Sequence, residues 1–231
     1  MKKYMDILNN CSLFEGMTQR ETEDALNCLG ARVVKTGENQ GVLVEGDPAV
    51  YMGIVLSGNI RIVRDELNGS RSIMAEAGPG ELFAEAVAVS SAENMPVSAV
   101  ASEDGEVMLL DCRKVLSTCE KSCTFHSRLI SNLLRIVADK NLILNQKIEI
   151  ISKRTIRERL MTYLMIQSKR NNSYEFEIPF NRQELADYLG VDRSAMSAEI
   201  GRMGKDGLIE SRRNRFRLLW VFCEENRHFL T

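Results

Sequence analysis

Residues 122–153 contain neither proline nor glycine. A run of that length without a breaker predicts one long helix. Its apolar positions say how the helix is used. Ile130, Leu134, Val137, Asn141, Leu144, Ile148 and Ile151 recur at alternating steps of four and three. That is the heptad seam of a short coiled coil, with one polar position to fix its register. A second row, Leu129, Leu133, Ile136, Lys140, Ile143, Lys147 and Ile150, runs beside it. The first row suits a second copy of the chain. A core helix packed on its own domain is the competing reading, and the two rows allow both at once.

Beyond this helix lies NRQELADYLGVDRSAMSAEIGRMGKDGLIE, residues 181–210. Asn181 is a helix N-cap, and Glu184 three residues on completes a capping-box spacing. Gly190 can take the left-handed conformation that closes a helix, and Asp192 can cap the next. Leu185, Ala186, Leu189, Met196, Ile200 and Met203 fall at helical spacings, with Ala186 small where two helices cross. This is a helix-turn-helix pattern, whose second helix enters a DNA major groove by its N-terminal part; an ordinary helical hairpin in a core matches it too. Leu208-Ile209-Glu210 and Phe216 to Trp220 then read as two strands around a turn at residues 211–215. Arg212, Arg213 and Arg215 make that hairpin a basic wing suited to phosphate, or else a solvated turn. A helix-turn-helix reads two-fold related half-sites, which favours the dimeric use of the long helix.

Between residues 31 and 111, short apolar runs alternate with Gly-Glu, Gly-Asp-Pro, Ser-Gly-Asn and Asn-Gly-Ser breaks. Val42-Leu43-Val44, residues 51–56, Ile60-Arg61-Ile62-Val63 and residues 107–110 are the best strands, and their spacing predicts a small antiparallel barrel or roll. The first thirty residues read as helical, with Thr18-Gln19-Arg20-Glu21 starting one segment. The fold class expected is therefore α+β: an antiparallel β-roll over residues 1–121, a dimerisation helix over 122–153 and a winged helix-turn-helix over 154–231.

Composition narrows the function. The chain is 44% hydrophobic and 27% charged, ample for packed cores in an ordinary soluble protein. Lys2 and Lys3 precede no apolar run, so no signal peptide or membrane span is expected and the cytoplasm is the expected location. Residues 152–231 carry a balance of +4 and residues 1–151 one of −6, a division that a nucleic-acid contact at the C-terminal end requires. Histidine occurs only at 126 and 228, outside the strands, so a cupin-type metal enzyme lacks its ligands. No Gly-x-Ser-x-Gly elbow, Walker loop or His-Glu-x-x-His is present. The six cysteines form no Cys-x-x-Cys pair. Cys119 and Cys123, four apart, are either a redox or metal pair or reduced cytosolic thiols.

The order of parts resembles the Crp/Fnr family of bacterial transcription regulators, over nearly the whole chain. The resemblance rests on residues 11–17 (CSLFEGM), Val44-Glu45-Gly46-Asp47, residues 55–60 (VLSGNI), Gly80-Glu81-Leu82-Phe83-Ala84-Glu85 and residues 181–186 (NRQELA). It implies a cyclic-nucleotide-binding-like jelly roll as sensor, a dimerisation helix and a DNA-binding domain. It further implies a homodimer on a palindromic site in double-stranded DNA, controlled by an effector or redox signal, with RNA polymerase as a partner if the chain activates. By the same resemblance Asn181, Arg182 and Arg202 join the DNA contacts, and Arg193, Ser194, Ser197 and Ala198 fall on the base-reading face, with Arg212 and Arg213 on the wing. The family often holds Arg, Glu and Arg where this chain has Arg193, Ser194 and Ala198, so a different operator sequence is expected.

For the sensor, the resemblance maps an effector pocket onto Ala84, Glu85, Val97 and Ser98, with Leu144 and Asn145 bordering it from the long helix. Cyclic-nucleotide binders carry Gly-Glu and Arg-Ser at the four roll positions. The arginine that would meet the phosphate is missing here, which speaks against cyclic AMP, although Arg61 or Arg71 would supply a cation if the strand register allowed. No cofactor is assigned. The cysteine cluster of iron–sulfur members and a haem-ligating histidine on the roll are absent from the sequence. A β-roll sensor that controls a protein partner without binding DNA remains the alternative.

Overall fold

The computed structural model describes residues 2–65, 71–116 and 125–219. The chain forms two compact units that divide between Lys140 and Asn141.

The first unit opens with α1 (Met5–Asn9) and α2 (Gln19–Cys28). Thr18 caps α2 through a reciprocal capping box with Glu21, as its sequence predicts. The strands β1 (Arg32–Thr36), β2 (Gly41–Leu43), β3 (Tyr51–Ser57), β4 (Ile60–Asp65), β5 (Arg71–Ala77) and β6 (Leu82–Phe83) follow. Next come α3 (Glu85–Ala88), β7 (Ser98–Ala101), β8 (Gly105–Asp111) and α4 (Cys112–Leu116). They form two four-stranded antiparallel sheets, ordered β1-β8-β3-β6 and β2-β7-β4-β5.

Strands β3 and β8 read as nearly continuous apolar runs because both of their faces are buried. Val55, Val107 and Leu109 point to the core between the sheets, with Leu43, Ile60, Phe83, Ala99 and Ala101. Met52, Ile54, Leu56, Met108 and Leu110 point the other way, into a second core. That core takes Leu8 and Leu26 from the N-terminal helices, and Leu129 and Leu133 from the start of α5 (His126–Ile151). Gly53 has a local reason: a Cβ there would lie 2.0 Å from the Phe83 ring.

Helix α5 is the long helix expected over residues 122–153; its described part begins at His126. The two rows separate as the heptad pattern requires. Leu129, Leu133 and Ile150 are buried and Ile136 packs against the first core, whereas Ile130, Leu134, Leu144, Ile148 and Ile151 are exposed. Three positions depart from the pattern. Val137 of the outer row is partly buried against the first core, and Lys140 and Ile143 of the inner row are exposed.

The second unit continues with α6 (Ile156–Asn171), β9 (Glu175–Glu177), α7 (Arg182–Leu189), α8 (Arg193–Lys205), β10 (Ile209–Arg212) and β11 (Arg215–Leu218). The three strands form one antiparallel sheet in the order β10-β11-β9. Its core joins Leu160, Tyr163 and Leu164 of α6 to Leu185, Leu189, Met196, Ile200 and Met203 of α7 and α8, and to Phe216. The hairpin is tighter than the sequence suggested. Arg212 pairs with Arg215, so only Arg213 and Asn214 turn, and Arg213 takes a left-handed φ of 54°. Among the described residues no helix is long and apolar enough to cross a membrane. Cys119, Cys123, Trp220 and His228 lie outside the described residues.

Candidate nucleic-acid interface and sensor site

Helix α7 starts where the chain can best start it. The Asn181 side chain accepts from the Gln183 and Glu184 amides at 2.9 and 3.1 Å, and Glu184 accepts from the Asn181 amide at 2.7 Å. Gly190 closes the helix at φ +63°, where any other residue would be strained. The Asp192 carboxylate then accepts from the Ala195 amide at 2.8 Å and opens α8. Arg159 pins the turn between them by donating to the carbonyls of Leu189 and Gly190 at 3.0 and 3.1 Å.

This geometry brings three arginines to one cleft of about 730 Å³, lined also by Asn181, Gln183 and Asn214. Arg182 comes from the start of α7, Arg193 from the start of α8 and Arg213 from the wing. Arg193, Arg212 and Arg213 form no ion pair among the described residues and stay free for an external anion. Arg182 is held differently. Its guanidinium lies 4.9 Å over the Phe216 ring, its Nη2 is 3.5 Å from Ser211 Oγ, and its Nη1 is buried without an acceptor. Burial lowers its pKa. The guanidinium is thus a partly dry cation at the edge of the cleft, with one donor unmet.

On α8 the exposed residues Ser194, Ser197, Ala198 and Gly201 form one face of short side chains. Arg202 does not stand free beside them. Its Nη1 is 3.1 Å from Glu199 Oε2, while Arg157 reaches Glu199 Oε1 at 2.6 Å and Asp206 Oδ2 at 2.7 Å. This clamp ties α8 to α6. The sequence gives no sign of it, because Arg157 lies 42 residues before Glu199. Arg215, the third arginine of the wing, pairs with Glu175 at 2.9 Å.

In the first unit, Ala84, Glu85, Val97 and Ser98 lie around the start of α3 and β7. Ala84 holds φ +59°, a left-handed conformation that costs a non-glycine residue about 1–2 kcal/mol. The strain marks a place where the family pattern has glycine. Val97 is buried, and the Ser98 hydroxyl accepts from the Glu45 amide at 3.0 Å. The Glu85 carboxylate is buried and lies 2.7 Å from the Lys140 ammonium, which also donates to the Leu82 carbonyl at 3.0 Å. Arg61 is not the missing cation: its Nε bonds Glu76 at 2.8 Å across the β4–β5 ladder. Leu144 and Asn145 fall in the second unit, both exposed, with the Asn145 amide donating to Asn141 Oδ1 at 2.8 Å. The residue of α5 that meets Glu85 is Lys140. The sequence held one signal for it, a lysine that interrupts the row after Leu129, Leu133 and Ile136.

Among the described residues no group of three or more His, Cys, Asp or Glu is placed to hold a metal ion. Burial pushes the thiols of Cys11 and Cys112 up to about 11 and about 12, which keeps them protonated at neutral pH.

Comparison with known proteins bears on both regions. A family model described as the cyclic nucleotide-binding domain matches residues 33–122, and one described as the Crp-like helix-turn-helix domain matches residues 158–220. The chain is 26% identical over 197 residues to the "Cyclic AMP receptor protein" of Thermus thermophilus, covering 85% of this chain and 87% of that protein. It is also 26% identical over 201 residues to the "Transcriptional activator protein FnrA" of Stutzerimonas stutzeri, covering 85% and 80%. Among solved structures, the c-di-GMP-responsive global regulator CLP of Xanthomonas campestris superposes with a TM-score of 0.55 at 18% identity, over 87% of this chain and 99% of that one. That likeness shows the fold. With a cyclic nucleotide-binding domain matched at one end and a Crp-like helix-turn-helix domain at the other, the chain belongs to the Crp/Fnr family of transcription regulators.

Proposed function

We propose that this regulator acts in the cytoplasm as a homodimer on a palindromic promoter site. The exposed outer row of α5 joins the two copies, and the cleft of Arg182, Arg193 and Arg213 meets the duplex. That cleft carries the reading: three cations from two helix starts and a wing line one cleft, where phosphate contacts position a reading head and base contacts specify. A roll that regulates a protein partner would have no use for it. Arg193, in the first turn of α8, is the candidate for a bidentate guanine contact, and RNA polymerase is the further partner if the bound dimer activates.

The effector in this reading is not cyclic AMP. A cyclic phosphate buried beside Val97 would lack the two-pronged cation that its charge demands. Selection of fragments of the source genome by the purified protein tests the reading. A recovered inverted repeat is the expected result, and recovery of sequences without any shared motif would refute it.

A further inference from the structure

The buried carboxylate of the roll is already occupied. Glu85 keeps 5% of its side chain exposed, and the Lys140 ammonium meets it at 2.7 Å while also bonding the Leu82 carbonyl. A carboxylate so withdrawn from water requires a counter-charge. The neighbouring groups offer an anionic visitor no cation. Val97 is apolar, the Ser98 hydroxyl accepts from the Glu45 amide and keeps a single O–H to donate, and Ala84 puts a methyl where the backbone turns left-handed. Lys140 itself interrupts the row in which Leu129 and Leu133 are buried and Ile136 packs against the roll. Its stem leaves the row and about half of the side chain stays in solvent, while the ammonium reaches back to the buried carboxylate.

We propose that Lys140 is the resident ligand of the roll. Its ammonium takes the place of a diffusible effector at Glu85 and anchors α5 to β6 and α3 within the first unit. The dimer then reaches its DNA-binding state with no small molecule bound. The inference rests on the reading of the chain as an operator-binding dimer.

The test uses full-length protein, exhaustively dialysed, and the operator recovered by genomic selection. Dialysed wild type should bind that operator, and saturating cyclic AMP or cyclic GMP should leave its affinity unchanged. Lys140→Arg should bind like wild type. Lys140→Met should lose about tenfold or more in operator affinity, within the usual range of coupling between sites. Lys140→Met also leaves Glu85 unpaired and thereby lowers the melting temperature. The double variant Glu85→Gln, Lys140→Met removes that charge. It should regain thermal stability yet keep the weak operator binding, because α5 stays unanchored. If Lys140→Met does not fold, the double variant decides alone.

Three results would overturn the inference: a folded Lys140→Met that binds like wild type, a double variant that regains affinity together with stability, or a dialysed wild type that binds only after a nucleotide is added. Should wild type recover no operator at all, it is the DNA-binding reading that fails. Amide exchange then judges the anchor separately. The Ala88 and Val89 amides, bonded to the carbonyls of Ala84 and Glu85, should lose protection in Lys140→Met, and unchanged protection would sink the anchor.

Discussion

Replacing Arg182 with methionine separates what the residue does for the fold from what it does for DNA. Its Nη1 is buried with no acceptor, and an unmet donor costs about 1–3 kcal/mol. The group is half-buried, so solvent screening brings that toward the lower end, about 1 kcal/mol. Against this, the guanidinium stacks 4.9 Å over Phe216, an interaction that contributes about 0.5–1 kcal/mol. The contact with Ser211 Oγ at 3.5 Å is at the limit of a hydrogen bond and adds little. The two sides nearly cancel. Methionine keeps the packing of the stem on Phe216 and has no donor to leave unmet. Arg182→Met should therefore leave the melting temperature unchanged or raise it by a few degrees. DNA binding should move the other way. Each protomer loses one phosphate contact, so the dimer loses two, and the slope of log affinity against log salt should flatten by about 1.8. Differential scanning fluorimetry and anisotropy titrations across a salt series read both quantities on one preparation. A melting temperature lowered by about 5 °C or more, with the salt slope intact, would show Arg182 to be structural and refute the assignment.

Other expectations follow from the same geometry. Leu134 and Leu144 are 68% and 61% exposed in the single chain, and burying each in a seam contributes about 1.5–3 kcal/mol. Leu134→Glu with Leu144→Glu should give monomers in sedimentation velocity at micromolar concentration, and a persistent dimer would show that the seam lies elsewhere. Arg193→Ala should relax sequence preference at one symmetric pair of base positions by about 1–3 kcal/mol, whereas Arg213→Ala should weaken all sequences alike; equal, sequence-independent losses from both would remove Arg193 from base reading. Calorimetry should detect no micromolar binding of cyclic AMP or cyclic GMP to the wild type, and a measurable isotherm for either would overturn the reading of Val97.

What the sequence shows depends on how local its causes are. The capping boxes at Thr18–Glu21 and Asn181–Glu184, the left-handed Gly190 and the cap at Asp192 are set by residues three or four apart, and each takes the geometry its spacing predicts. Thr155 and Glu158 carry the same box at the start of α6, a signal as plain as the others and passed over. Strands β3 and β8 were legible because both faces are apolar. Strand β1, mostly exposed, and β7, buried but built of Ser98, Ala99, Val100 and Ala101, lack that mark and exist because longer partners pair with them. The sequence spreads the wing turn over five residues because nothing in Arg213 announces a left-handed residue; the ladder from Ile209–Leu218 to Arg212–Arg215 imposes it. The ion pairs Arg157–Glu199 and Lys140–Glu85 join residues far apart in the chain, so no spacing rule reaches them.

The placement of Arg202 shows how such a distant pair bears on function. The family resemblance places Arg202 among the DNA contacts. Glu199, one turn earlier, sits on the buried side of α8 with a carboxylate only 9% exposed. A carboxylate in that setting requires a counter-charge, and it takes Arg157 on one oxygen and Arg202 on the other. Arg202 thereby pairs along its own helix, beside the face formed by Ser194, Ser197, Ala198 and Gly201. That face carries no long side chain, and a Cβ placed on Gly201 would meet nothing within 4 Å. A helix with so low a profile can bring its backbone close to base edges, where a serine hydroxyl accepts either base type and an alanine methyl can meet only a thymine methyl. On the proposed reading, Arg193 carries the sharpest hydrogen-bonded discrimination in the half-site, while Arg182, Arg212 and Arg213 hold the register on the phosphates.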